Sequence, residues 1–281
     1  MTDYEILSRP RFEILPTEGA EERAGYLPEA AKVAVTCSPG KGIEHTLRFS
    51  QRLLQRGFRV VPHVAARLVA DTAHLEEILR WFDERSLREI YVVGGDAREP
   101  VGPYASALEL LVAMSHLEHG VEEVGIGGYP EGHPLIDDED LDRALLDKQP
   151  FASYVVTQLC FDADAILGWI SDVRHEGLRL PVYVGLPGAV DRKKLLQISL
   201  KVGVGDSVRF LKKQTGLIGM LLKPGSYSPD GLVERLAPYA GDEHYGVAGL
   251  HLYTFNQVES TEEWRQQMLG LGKTSGAGAP R

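Results

Sequence analysis

Residues 153–185 read SYVVTQLCFDADAILGWISDVRHEGLRLPVYVG, and this stretch decides the fold. It opens with a strand-like run, Ser153–Gln158, whose last residues Thr157 and Gln158 are polar. An amphipathic stretch over Asp164–Glu176 follows, and then a second apolar run at Pro181–Gly185. Strand, helix and strand at this spacing form one parallel crossover unit. Several of the chain's strand-like runs are apolar almost throughout, as strands covered on both faces are.

The same unit recurs on either side. Upstream, Arg11–Leu15, Lys32–Thr36, Arg59–His63, Glu89–Val93 and Glu123–Gly127 read as strands; downstream, Val247–Leu252 does. Helical patterns separate them at Ile43–Arg56, Thr72–Arg85, Tyr104–His119, Asp138–Lys148 and Arg192–Val202. In the second of these, Leu75, Ile78, Leu79 and Phe82 recur at spacings of three and four, which draws one apolar stripe. The first crossover is too short for a well-marked helix. The last, Lys201 to Gly246, has room for extra helices around Ser207–Thr215 and Asp230–Tyr239. Eight such units in 281 residues predict an α/β fold, a (β/α)8 TIM barrel occupying residues 1–269. From Gly270 the composition turns to Gly, Ser, Ala and Pro, which predicts a flexible tail over 270–281. Its Gly272-Lys273-Thr274 is not a phosphate loop: the motif's first glycine would fall on Gln267, and no strand precedes it.

Composition narrows the function. A net charge of −10 argues against nucleic acid and against an anionic membrane surface. The two cysteines, Cys37 and Cys160, are far apart and make neither a disulfide framework nor a zinc site, so no metal is expected. Met1–Arg11 lacks the apolar core of a signal peptide, and no apolar run is long enough to span a bilayer, which makes cytoplasm the expectation. Oligomeric state, a homo-oligomer included, is left open.

A barrel's chemistry is built where strands end and βα loops begin. Polar groups stand at nearly every such point: Glu13, Thr36, His63, Asp96, the Tyr129–Pro134 segment, Thr157-Gln158, His251 and Tyr253. Each has a bland reading of its own. An acid in an apolar strand is costly unless paired or protonated, so Glu13 fits a structural pair as well as a catalytic acid. His63 alone reads as a core histidine, and Gly94-Gly95-Asp96 as a tight turn. The Gly125–Gly128 glycines do not match a dinucleotide fingerprint and point to close backbone packing. Convergence of the set at one mouth is what suggests an active site.

Taken in order, these segments resemble the methylenetetrahydrofolate reductases. The resemblance rests on Phe12-Glu13 with Pro16, Val33–Thr36, Pro62-His63, Gly95-Asp96, Tyr104-Ala105-Ser106 and Tyr129-Pro130-Glu131 with His133-Pro134. It continues through Thr157-Gln158 with Phe161-Asp162, and His251 with Tyr253-Thr254 and Asn256. It implies a flavin-dependent barrel that interconverts 5,10-methylenetetrahydrofolate and 5-methyltetrahydrofolate, with FAD as cofactor and NAD(P)H as electron donor. By position, Glu13 matches the general acid that opens the folate's five-membered ring, and Asp96 the carboxylate near flavin and pterin. Gln158 matches a folate ligand. Thr36, His63, Gly95, Tyr104, Ala105, Tyr129 and His133 match FAD contacts, and Lys148 matches a phosphate-binding lysine after a one-residue deletion. A carboxyl in a mostly apolar barrel would be expected to hold its proton near neutrality, which suits an acid.

The chain also departs from that pattern. Gly94 replaces an arginine, Ala107 an aspartate, and Gly188–Asp191 supplies no aromatic after Pro187. Gln257 stands where an arginine pairs with the glutamate tail of folate, so that charge-assisted contact is lost. Two alternatives follow: a flavin-independent pterin reductase using NAD(P)H directly, and a degenerate barrel acting as a partner subunit.

Overall fold

The computed structural model describes residues 5–133, 136–195 and 226–270. Eight parallel strands close a barrel: β1 (Arg11–Ile14), β2 (Lys32–Val35), β3 (Arg59–Ala65), β4 (Glu89–Val93), β5 (Glu123–Gly128), β6 (Tyr154–Thr157), β7 (Val182–Pro187) and β8 (Val247–Tyr253). Each pairs with its sequence neighbours, and β8 closes on β1 with Arg11 opposite His251 and Glu13 opposite Tyr253. All eight strands fall on the stretches expected from sequence. β3 runs two residues beyond His63, so His63 lies inside the strand and opposite Tyr91 instead of at the strand's end.

Helices α1 (Ala20–Ala24), α2 (Ile43–Gln55), α3 (Thr72–Glu84), α4 (Ala107–Met114), α5 (Asp138–Lys148), α6 (Ala163–His175), α7 (Asp230–Leu236) and α8 (Val258–Met268) are described. α3 starts where Asp71 accepts a hydrogen bond from the His74 amide at 2.8 Å, and buries Leu75, Ile78, Leu79 and Phe82 against the sheet. Each such side chain contributes roughly 1.5–3 kcal/mol. α4 is shorter than the Tyr104–His119 pattern suggested. Ser106 and Glu109 form a capping box that fixes its start, and Ser115 ends it. α8 was not expected, because its buried face includes an ion pair, Glu262 with Arg265 at 2.7 Å. The expected helix at Ser207–Thr215, most of the one at Arg192–Val202, and the tail beyond Gly270 lie outside the described residues.

Strand alternation sorts the core. Phe12, Ile14, Val33, Val35, Val60 and Val64 pack outward against the helices, while Val61, Tyr91, Tyr154 and Val156 form a separate cluster inside the barrel. Glycines on β5 make room for that interior. A Cβ on Gly125 would come within 2.4 Å of both the Tyr91 and Tyr154 rings, as the close-packing reading of this run required. Near the amino ends of the strands, the buried Arg11 guanidinium lies between the rings of Tyr154 and Tyr183, 4.0 and 4.1 Å from their centroids. It pairs with Glu89, which also holds Lys32 at 2.6 Å. Burial would push the Glu89 carboxyl up, but Arg11 and Lys32 outweigh it and hold the group below its ordinary range.

Candidate active site

At the carboxyl ends of the strands, polar groups from both ends of the chain meet. Glu13 on β1 and His251 on β8 are 3.2 Å apart, Oε2 to Nε2. The expectation of a lone acid in an apolar run is therefore corrected: closure of the barrel places an imidazole against the carboxyl. His251 Nδ1 is buried and has no hydrogen-bond partner, so a neutral imidazole places its one mobile proton either between the two groups or at an unmet nitrogen. The backbone beneath is fixed independently of the carboxyl, because the Thr254 hydroxyl donates to the Glu13 carbonyl at 2.6 Å.

His63 continues the cluster. Its ring stacks at 4.5 Å on Tyr91, and it is fully enclosed near Glu13 and His251. Burial pushes its pKa down to about 4, against the pull of the Glu13 carboxylate. His63 is thus neutral in the fold at neutral pH, with a buried Nε2 that has no hydrogen-bond partner. The sign of the stability effect follows. Below its ordinary value of 6.5 the unfolded chain takes up a proton that the folded site refuses. This contribution is fully present above about pH 6.5 and lost as pH falls toward 4. The unfolding free energy should therefore drop across this window by up to about 3 kcal/mol, lowering the thermal midpoint, and the drop should be shallower in His63→Gln. Thermal melts at a series of pH values measure it; parallel curves for the two proteins would contradict the assignment.

Tyr253, at the end of β8, donates its hydroxyl to the Thr157 carbonyl at 3.0 Å. Burial raises the phenols of Tyr91, Tyr129 and Tyr253, so all three remain protonated hydrogen-bonding groups. Tyr129 follows β5, with His133 edge-on to its ring at 5.5 Å. The carboxylate of Asp96, three residues beyond Val93 at the end of β4, acts on both Tyr129 and His133. Asp96 itself is exposed. Gly95 before it adopts φ 94°, and a Cβ there would come within 2.8 Å of the Ala65 Cβ.

Other candidates are committed locally. Thr36 lies just past β2, with its amide bonded to the Ile14 carbonyl. The Gln158 side chain accepts from the Leu159 amide at 2.8 Å. The Tyr104 hydroxyl is 3.3 Å from Thr72 Oγ1, and the Ala105 amide is taken by Glu109. Gln257 accepts from the Asp191 amide at 2.8 Å, latching the segment after β7 to the β8–α8 turn. Lys148 does not join the group. It ends α5, and the next residue, Gln149, bonds Gly177 and Arg179 in the turn that leads into β7, at the amino ends of the strands. The one-residue shift that matched it to a phosphate contact does not carry its backbone to the mouth.

The site members missed in sequence are Tyr91 and the His251 side chain as the partner of Glu13. Alternation within β4 would have turned Tyr91 inward with Glu89. Among the described residues, no cluster of three or more His, Cys, Asp or Glu could hold a metal ion, and no helix is long and apolar enough to cross a membrane.

Comparison with known proteins gives an independent view. The sequence profile described as methylenetetrahydrofolate reductase matches residues 22–201. Methylenetetrahydrofolate reductase 1 of Schizosaccharomyces pombe is 33% identical over 155 residues, covering 53% of this chain and 24% of its own length. Methylenetetrahydrofolate reductase 2 of Saccharomyces cerevisiae is 34% identical over 163 residues, 54% of this chain and 26% of its own length. The match thus spans about a quarter of these relatives. Among solved structures, an uncharacterized protein from Clostridium thermocellum that binds two copies of 5-methyl-5,6,7,8-tetrahydrofolic acid superposes with a TM-score of 0.62. It is 12% identical and covers 95% of this chain and 99% of its own, which speaks to the fold alone.

Proposed function

Because this chain belongs to the methylenetetrahydrofolate reductase family, we propose that it interconverts 5,10-methylenetetrahydrofolate and 5-methyltetrahydrofolate at the carboxyl mouth of the barrel. The observation that carries this reading is the pair of half-buried Glu13 and buried His251, 3.2 Å apart, beside an enclosed neutral His63. Reducing the methylene bridge requires the folate's five-membered ring to open first. A proton goes to the departing nitrogen, the carbon–nitrogen bond breaks with its electrons to that nitrogen, and an iminium cation remains on the other. Glu13, sharing a hydrogen bond with His251, is the proton source. Hydride then reaches the cationic carbon, and Asp96 contributes negative potential to the cation. Asp96 is exposed, so solvent screens that contribution until substrate covers it. The Tyr91, Tyr129 and Tyr253 rings supply flat, partly polar walls suited to a pterin.

The residues present fit a flavin in part. In favour are the buried, unmet Nε2 of His63 and the close backbone approach at Gly95. Thr36, His63, Gly95, Tyr129 and His133 would hold it, and when bound it would carry two electrons between nicotinamide and folate. A second reading, hydride passing directly from NAD(P)H, is favoured by the Tyr104 hydroxyl and Ala105 amide, which already have partners. The visible spectrum of the pure protein, with and without added FAD, separates the two. Flavin absorbance that stays with the protein supports the first; a colourless protein that takes up no FAD yet turns over supports the second. Failure to bind 5-methyltetrahydrofolate would overturn both.

A further inference from the structure

The folate reading leaves one chemical question open. A folate carries a pterin at one end and glutamate carboxylates at the other, and Gln257 brings no charge to meet them. Its side-chain oxygen, moreover, accepts from the Asp191 amide, which holds the group in place.

Two cations stand at the rim nearby. Lys194 follows the segment that Gln257 latches and reaches back to donate to the Phe255 carbonyl at 2.7 Å. Arg23 lies on α1, folded back so that Nη2 donates to the Glu18 carbonyl at 2.8 Å. These anchors belong to two loops sewn together at the β1–β8 seam. Asn256 accepts from the Leu15 amide and donates to the Leu15 carbonyl and the Thr17 hydroxyl, at 2.9, 2.9 and 2.7 Å. The seam is held under backbone tension, with Phe255 and Asn256 both at positive φ, 49° and 62°. Consecutive left-handed non-glycine residues cost free energy and persist where a loop must be held in one shape.

The charges are not balanced. Arg23 and Lys194 are near enough that Arg23 adds to burial in lowering the Lys194 pKa. Asp191, the acid that opposes this, already accepts the Lys194 backbone amide at 2.9 Å. Among the described residues neither cation forms a side-chain ion pair, and Arg23 Nε is buried without a partner. Arg23 also borders a hollow of about 520 Å³, lined with it by Gly19, Glu22, Gly25 and Tyr26. Glu22 is exposed there and makes no ion pair with Arg23. In a chain of net charge −10, two cations on loops joined by Asn256, with no ion pair among the described residues, are a place made for an anion.

We propose that Lys194 and Arg23 form an anion subsite at the rim that receives the carboxylates of a folate's glutamyl tail. It stands in for the charge that Gln257 lacks. The proposal rests on the folate reading, and its test keeps the two apart. Three probes are titrated into the wild type, Lys194→Gln and Arg23→Gln: 5-methyltetrahydrofolate, its triglutamate, and a 5-methyltetrahydropterin without the tail. Each substitution should weaken both tailed ligands about fivefold and leave the tailless ring unchanged. The wild type should also lose tailed-ligand affinity with added salt more steeply than either variant. Equal losses for tailed and tailless ligands would mean that the cations only brace the seam, and unchanged affinity would place the tail elsewhere. Either overturns the subsite while leaving the folate reading intact. If the wild type binds none of the three, the folate reading itself fails.

Discussion

Glu13→Gln should lower turnover of 5,10-methylenetetrahydrofolate on the order of 10²–10⁴-fold while changing the affinity for 5-methyltetrahydrofolate little. The amide keeps the shape of the carboxyl and can still bond His251 Nε2 at the present 3.2 Å, but it has no proton to give as the ring opens. The variant should fold, since the Thr254 hydroxyl holds the Glu13 backbone carbonyl and not its side chain. The loss should therefore appear in kcat, with KM nearly constant and the melting temperature close to wild type. If the melting temperature fell in step with activity, the Glu13–His251 pair would be a brace for the barrel seam. A full-strength kcat would mean that the proton comes from another group.

Arg11→Met carries the largest expected effect on stability. Arg11 is only 4% exposed, lies between two tyrosine rings and pairs with the mostly covered Glu89. Removing it strips Glu89 of its deeper partner and leaves Lys32, at 2.6 Å, to neutralise it alone. Breaking a buried pair from one side costs about 3 kcal/mol, which for a chain of this size lowers Tm by roughly 6–10 °C. Adding Glu89→Gln to the same protein should recover part of the loss, because the second change removes the stranded charge. Calorimetry on the wild type, both single variants and the double variant closes the cycle. Strictly additive losses would show that Arg11 stabilises through ring packing alone.

The fold was legible because the strands are covered on both faces, which writes most of them as short, largely apolar runs. The bounds of β4 and α5 match the sequence pattern residue for residue. What escaped the sequence depends on closure or on burial of charge. Glu13 and His251 are 238 positions apart, and only the β1–β8 pairing brings them together. α8 hid because Glu262 and Arg265 satisfy each other inside, where a periodicity argument reads both as solvent-facing. The third strand was read as ending at His63, yet it continues to Ala65, which places His63 within the strand, on the same face as Val61. Lys148 shows the limit of matching by position. The match carries residue type, but the direction in which α5 runs decides which end of the barrel receives the residue.

The central claim, that this mouth performs folate chemistry through Glu13, is tested most directly by measuring 5-methyltetrahydrofolate formed from 5,10-methylenetetrahydrofolate. The assay supplies saturating NADH or NADPH, with and without FAD, and compares wild type with Glu13→Gln. The account predicts catalytic, multiple-turnover formation by the wild type and near-background formation by the variant. Wild-type product no greater than the variant's under every donor and cofactor condition would contradict it.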